Sequence, residues 1–156
     1  WNHHQELVWF LAKDYEMHRK MQQYSARLNH IYTKYRCLYE IDDSWDGFQW
    51  ISVDDGDNSV LAFLRCAKPR GKKVQKLLCI INFTPVQRDG YLVGLPARGK
   101  LKQVLNSDEK RYGGSGVAVE KEIKVKKKAY GGFKASAAIT LPPLSVQYFE
   151  YTEEMK

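Results

Sequence analysis

Residues 82–116 read NFTPVQRDGYLVGLPARGKLKQVLNSDEKRYGGSG, and this stretch decides the fold. Its apolar and β-branched runs are cut at short intervals by Pro85, Asp89-Gly90, Gly94, Pro96, Gly99 and Gly113-Gly114. That punctuation marks short antiparallel strands. Glycine takes up left-handed turn positions, aspartate bonds its own backbone, and proline cannot donate to a ladder. Strands are predicted at residues 90–96 and 100–105, and a glycine-rich loop over residues 106–116.

Working outward, residues 76–84 form the most apolar run and are predicted to be a central strand. Before it, residues 48–52 and 59–66 flank the polar cluster Asp54-Asp55-Gly56-Asp57-Asn58, which reads as a hairpin turn. After the loop, strands are predicted at residues 117–125, 137–141 and 144–151, with residues 130–134 as a loop. Pro142-Pro143 separates the last two strands, since consecutive prolines do not sit inside a ladder. Seven or eight short strands with no helix among them imply an antiparallel β-sandwich of Greek-key type.

The first 46 residues contain no glycine or proline. Met17, Met21, Tyr24, Leu28, Ile31, Tyr32 and Tyr35 recur there at helical spacing, so a helix is predicted over residues 15–35, with Asp14 as its N-cap. Residues 5–12 read as a shorter preceding helix. The chain therefore divides into a helical segment, residues 1–36, and an all-β domain, residues 37–156.

The odd cysteine count, Cys37, Cys66 and Cys79, argues against a secreted disulfide framework and fits a reducing cytoplasm. Asn82-Phe83-Thr84 matches a glycosylation sequon, but it closes an apolar strand ahead of Pro85. No run approaches the roughly 20 apolar residues of a membrane span. The N-terminal residues show neither the basic start nor the apolar core of a signal peptide.

Twenty-five basic residues against 18 acidic give a net charge of +7, concentrated at residues 68–76 and 121–128. Ile123 and Val125 alternate with lysines, which is the pattern of a strand with one wet face. Polyanion binding through these lysines remains a third functional reading, while nucleic-acid binding lacks the interleaved aromatics and arginines it needs. The aspartates at residues 54–57 lack the spacing of a calcium loop, and Tyr112 to Gly116 lacks the lysine and following helix of a phosphate loop. No metal and no cofactor is expected.

Several motifs fall in a fixed order: Trp1-Asn2-His3 with Leu7 and Trp9; His18-Arg19 with Leu28-Asn29 and Tyr32; Phe48-Gln49-Trp50-Ile51; Asn58-Ser59-Val60. They continue with Asn82-Phe83-Thr84-Pro85, Gly94, Pro96, Leu105-Asn106-Ser107-Asp108, Tyr112 to Gly116 and Leu141-Pro142-Pro143-Leu144. In this order they resemble the C-terminal region of glycogen and starch branching enzymes of the α-amylase superfamily, from the end of the catalytic barrel through the C-terminal β-domain. The chain departs from that pattern at Tyr130-Gly131-Gly132, where the family often has Trp-His-Gly.

The resemblance implies a parent that cuts an α-1,4-glucan and rejoins it through an α-1,6 bond, by a retaining mechanism with two carboxyl groups. It places those groups on the barrel, upstream of Trp1, so no catalytic residue is carried over to this chain. It implies the barrel as partner and a structural, accessory role. A second reading is an α-glucan-binding module, with Trp45 and Tyr112 as candidate exposed rings for sugar faces. The helical stripe, if left uncovered, favours self-association or packing onto the sandwich.

Overall fold

The computed structural model describes residues 3–154. Two helices, α1 (Phe10–Asp14) and α2 (Glu16–Lys34), precede eight strands: β1 (Phe48–Asp55), β2 (Val60–Cys66), β3 (Lys76–Asn82), β4 (Arg88–Leu95), β5 (Gly99–Asn106), β6 (Glu122–Val125), β7 (Ala135–Leu141) and β8 (Ser145–Glu153). One sheet has the order β1-β2-β3-β8-β5-β6, and β4 pairs with β7 in a second. Every named pairing is antiparallel.

The run Leu77-Leu78-Cys79-Ile80 lacks polar alternation because β3 is covered on both faces. Leu78 and Ile80 point between the sheets, where they meet Val93, Leu95, Ile139 and Phe149. Leu77 and Cys79 point the other way and pack with Ile31 and Tyr35 of the helical segment. A strand buried on both sides reads as continuous apolar sequence. The molecule thus has three layers: β4 and β7, the six-stranded sheet, and α2.

The helical stripe divides accordingly. Ile31 and Tyr35 are buried and Tyr24 and Leu28 pack on the same cluster, whereas Met17, Met21 and Tyr32 are exposed. The helix begins after Tyr15 rather than after the predicted Asp14 cap, because Asp14 closes α1 and the extended Tyr15 separates the two helices. The earlier helix starts at Phe10, later than its sequence pattern suggests. Of the quoted motifs, Trp1 and Asn2 lie outside the described residues.

Beyond α2, Arg65 of β2 ties down the connection to β1. It donates to the carbonyls of Cys37, Leu38 and Ile41 and pairs with Asp42 at 2.8 Å. The predicted strand over residues 117–125 shrinks to Glu122–Val125, since the Gly116 and Val117 amides bond Asp108 instead of a ladder. The tight β7–β8 connection leans on Asn82, whose amide donates to the carbonyls of Val86 and Pro142. With Asn82 only 2% exposed, its side chain serves packing and stands away from solvent.

Cys37 and Cys79 are buried, Cys66 is half-buried, and all three are free. Burial pushes the Cys37 thiol up to about 12 and raises those of Cys66 and Cys79, so they stay as neutral thiols.

Candidate functional site

Trp45 opens a short 3-10 turn, Trp45–Gly47, in which the Asp46 amide donates to the Ser44 hydroxyl. Gly47 is required there, because a Cβ would run into the Ile41 carbonyl. The turn lifts the indole into solvent, and Trp45 is 78% exposed. Its ring meets Phe48 edge-on at 6.0 Å; Phe48 meets Trp50 edge-on at 4.8 Å and stacks with Phe63 at 5.1 Å. Phe48 and Trp50 share a face of β1 by their two-residue spacing, and the ladder sets Trp50 opposite Phe63. These four rings form a continuous aromatic ledge on the first edge of the sheet.

Phe63 continues the ledge into a cavity of about 330 Å³ beneath α2, lined also by Leu28, Tyr32, Leu38 and Tyr148. The rings offer apolar faces of the kind that pack against the C–H faces of sugars. Sequence reasoning singled out Trp45 and missed Phe48, Trp50 and Phe63 as its neighbours. The spacing Trp45, Phe48, Trp50 was the available signal, but only strand pairing brings Phe63 to it.

Tyr112 lies elsewhere, in the glycine-rich loop. It is half-buried, packs edge-on against Tyr24 of α2 at 5.3 Å, and carries the Arg111 guanidinium 4.6 Å from its ring centroid. The loop itself is built on Asp108, which is 6% exposed. Its carboxylate accepts from the Ser115 amide at 2.7 Å, the Ser115 hydroxyl and the Val117 amide at 2.8 Å. The structure does not bring Tyr112 to the Trp45 ledge.

Two of the other aspartates singled out by the sequence, Asp42 and Asp55, hold structural contacts. Asp54 and Asp55 end β1 rather than forming the turn. Asp55 accepts from Tyr91 at 2.6 Å and from Asn58, and Arg88 reaches Asn58 at 2.6 Å, so this group joins the β1–β2 hairpin to β4. Asp42 serves Arg65. Among the described residues, no group of three or more His, Cys, Asp or Glu side chains is placed to hold a metal ion. No described helix is long and apolar enough to cross a membrane.

The family model for the alpha-amylase C-terminal all-beta domain matches residues 50–152, which covers β1 from Trp50 through nearly all of β8. The chain belongs to this family.

Similarity to individual proteins extends further upstream. The chain is 39% identical over 151 residues to the 1,4-alpha-glucan branching enzyme GlgB of Albidiferax ferrireducens, covering 97% of this chain and 24% of that protein. It is 42% identical to the same enzyme of Pseudomonas fluorescens over 94% of this chain and 19% of that one. For the Aquifex aeolicus enzyme the values are 39%, 97% and 23%. The chain therefore spans about a quarter or less of the relatives it matches. With so much of the chain aligned, the similarity takes in most of the helical segment that the family model leaves out.

Proposed function

We propose that this chain is the C-terminal part of a 1,4-alpha-glucan branching enzyme, that it braces an upstream catalytic barrel, and that alone it transfers no glucan. The supporting observation is similarity along nearly the whole chain to branching enzymes that are four to five times longer. The domain division falls near residue 36, and the barrel covers the apolar side chains of Trp9, Phe10, Met17 and Met21, which are exposed here. Without the barrel, the same side chains pair two copies of the chain. Three free thiols suit the reducing cytoplasm as its compartment.

Chemistry of this kind needs one carboxylate to attack the anomeric carbon and a second carboxyl, about 5–5.5 Å away, to protonate the leaving oxygen. Asp42, Asp55 and Asp108 are instead committed to Arg65, Tyr91 and the loop amides. Incubating the chain with amylose and counting α-1,6 bonds after debranching tests the reading. No new branches are expected, and branch formation would overturn it.

In the same reading α-glucan packs on the ledge at Trp45, with Tyr112 as a second contact whose free ring surface is limited by Tyr24. The support is the exposure of the Trp45 indole and its continuity with Phe48 and Trp50.

A further inference from the structure

At the end of the sheet where β3 begins and β8 finishes lies a cleft of about 680 Å³. Its cations are Arg36, Arg70, Lys72, Lys73 and Lys76, and its anions are Glu150, Glu153 and Glu154. Part of that charge is already matched. Lys76 pairs with Glu153 at 2.6 Å, Arg36 with Glu40 at 2.6 Å, and Glu154 with Arg98 at 2.9 Å. Glu150 accepts from the Tyr35 hydroxyl. Arg70, Lys72 and Lys73, on the tight turn closed by the Arg70–Lys73 bridge, make no ion pair among the described residues.

The cleft does not end at its rim. Thr152, which lines it, stands opposite Lys100 in the β5–β8 ladder, and Lys100 stands opposite Lys124 in the β5–β6 ladder. Directly opposed residues project to one face, and like charges so placed repel. Glu122 holds Lys100 at 2.6 Å, but Lys124 has no such partner among the described residues. Lys124 and the Glu122-paired Lys100 thus lie on the face that leads by Thr152 to the cleft, whose 70–73 turn carries Lys72 and Lys73 without ion pairs among the described residues, while Arg70 acts on Glu40. An anion seated there relieves the repulsion.

We propose that this cleft binds a phosphate monoester carried on a sugar. Lysine ammoniums and one arginine fork supply the charge for a single phosphate group. The carboxylates of Glu150 and Glu154, with Gln75 and Thr152, supply acceptors and donors for hydroxyl groups. Those same carboxylates repel a second and third phosphate, which disfavours a polyphosphate or nucleic acid. Tyr151, the one aromatic residue of the lining, is 2% exposed, so no ring is available for base stacking. The proposal rests on this cleft alone and stands whether or not the chain serves a branching enzyme.

Amide chemical shifts of the 156-residue chain are followed by NMR during titration with glucose 6-phosphate. Parallel titrations use glucose, inorganic phosphate, and sodium chloride at matched ionic strength. Saturable shifts at residues 70–76, 150–154, 100 and 124 are expected with the sugar phosphate, at an affinity well above that for inorganic phosphate. Lys72→Gln and Lys100→Glu each lower that affinity about tenfold, the scale expected when a close charge is lost at a partly screened site. Lys72 is exposed and breaks no ion pair, so its variant retains the fold.

Gel migration in phosphorylated amylopectin, before and after enzymatic dephosphorylation, distinguishes the carrier. Retardation lost on dephosphorylation puts the phosphate on the polymer, and NMR binding without retardation puts it on a soluble ester. Shifts that fail to saturate, equal inorganic phosphate or glucose, or persist unchanged in both variants overturn the proposal.

Discussion

The ring of Tyr24 on α2 meets the ring of Tyr112 in the glycine-rich loop edge-on, with centroids 5.3 Å apart. This contact, with the Met17 side chain lying over Gly113, fastens the helical segment to the sandwich at the loop. Burial raises the Tyr24 hydroxyl above the ordinary tyrosine range, and Tyr112 nearby adds to the rise.

Tyr112→Ala is therefore expected to destabilise the chain by about 1–3 kcal/mol, the sum of a partly buried ring and one aromatic pair. Tyr112→Phe keeps the ring and costs under about 0.5 kcal/mol. Urea unfolding reads both, and hydrogen exchange in α2 quickens in the alanine variant only. Equal stability of the two variants would show that the ring pair contributes nothing.

The strands were legible because their signals are local. Asp-Gly and Pro-Pro punctuation, two-residue alternation and the apolar 77–80 run each report a strand or turn without reference to distant residues. The surroundings of Tyr112 were not legible, because α2 lies far from it in sequence and only the three-layer packing makes Tyr24 its neighbour. The shortening of β6 was hidden for the same kind of reason: Asp108 takes amides that a strand reading assigns to a ladder. At Trp45, the turn glycine and the run of aromatics were visible, but the ledge needed the register of β1 against β2.

Asp108→Ala removes an acceptor of two backbone amides and the Ser115 hydroxyl. Charge-assisted hydrogen bonds contribute about 1.5–3 kcal/mol each in net terms, and they are coupled here, so a total loss of about 2–4 kcal/mol is expected. Gly114→Ala is expected to be comparably damaging, since its Cβ runs into the Asp108 backbone. Thermal melts of the two variants decide the matter: a melting temperature unchanged in both refutes the central place given to Asp108.

The Asp55–Tyr91 bond makes stability depend on pH at both extremes. Burial raises the Asp55 carboxyl, but hydrogen bonds from Tyr91 and Asn58, with Arg88 nearby, outweigh it and leave the group below its ordinary range. The unfolded chain therefore binds the proton more readily. The contribution is full above the unfolded value of about 3.9 and is lost as pH falls through the lower folded value. Tyr91 behaves in the opposite sense, pushed up to about 12 by burial and then by the bond to Asp55. Its contribution is full below the unfolded value of about 10 and is lost as pH rises toward the folded one. Tyr91→Phe is expected to flatten the stability curve at both ends, as read by denaturant midpoints across pH. A curve unaltered in shape would count against the link.

Met17 and Met21 are 59% and 61% exposed on a helix whose Tyr24, Leu28 and Ile31 pack into the buried cluster beneath it. Apolar side chains so grouped favour association when their natural cover is missing. Light scattering of the chain is expected to show a mass that rises with concentration, and Met17→Gln with Met21→Gln to abolish the rise. One monomeric mass at every concentration excludes self-association through this face.

Trp45 separates binding from folding. Because its indole is 78% exposed and meets the ledge edge-on at Phe48, Trp45→Ala is expected to change stability by no more than about 0.5 kcal/mol. If α-glucan packs on the ledge, the same substitution abolishes the retardation of the chain in a glycogen-containing gel. Tyr112→Ala weakens retardation too, but with the loss of stability already described, so the two effects are told apart by comparing gel shift with unfolding midpoint. Stacking against sugar C–H faces involves no counterion release, and retardation through Trp45 is accordingly insensitive to salt, unlike phosphate binding in the basic cleft. Mobility identical with and without glycogen removes Trp45 from any binding role, whereas retardation that survives Trp45→Ala places the glucan contact elsewhere on the chain.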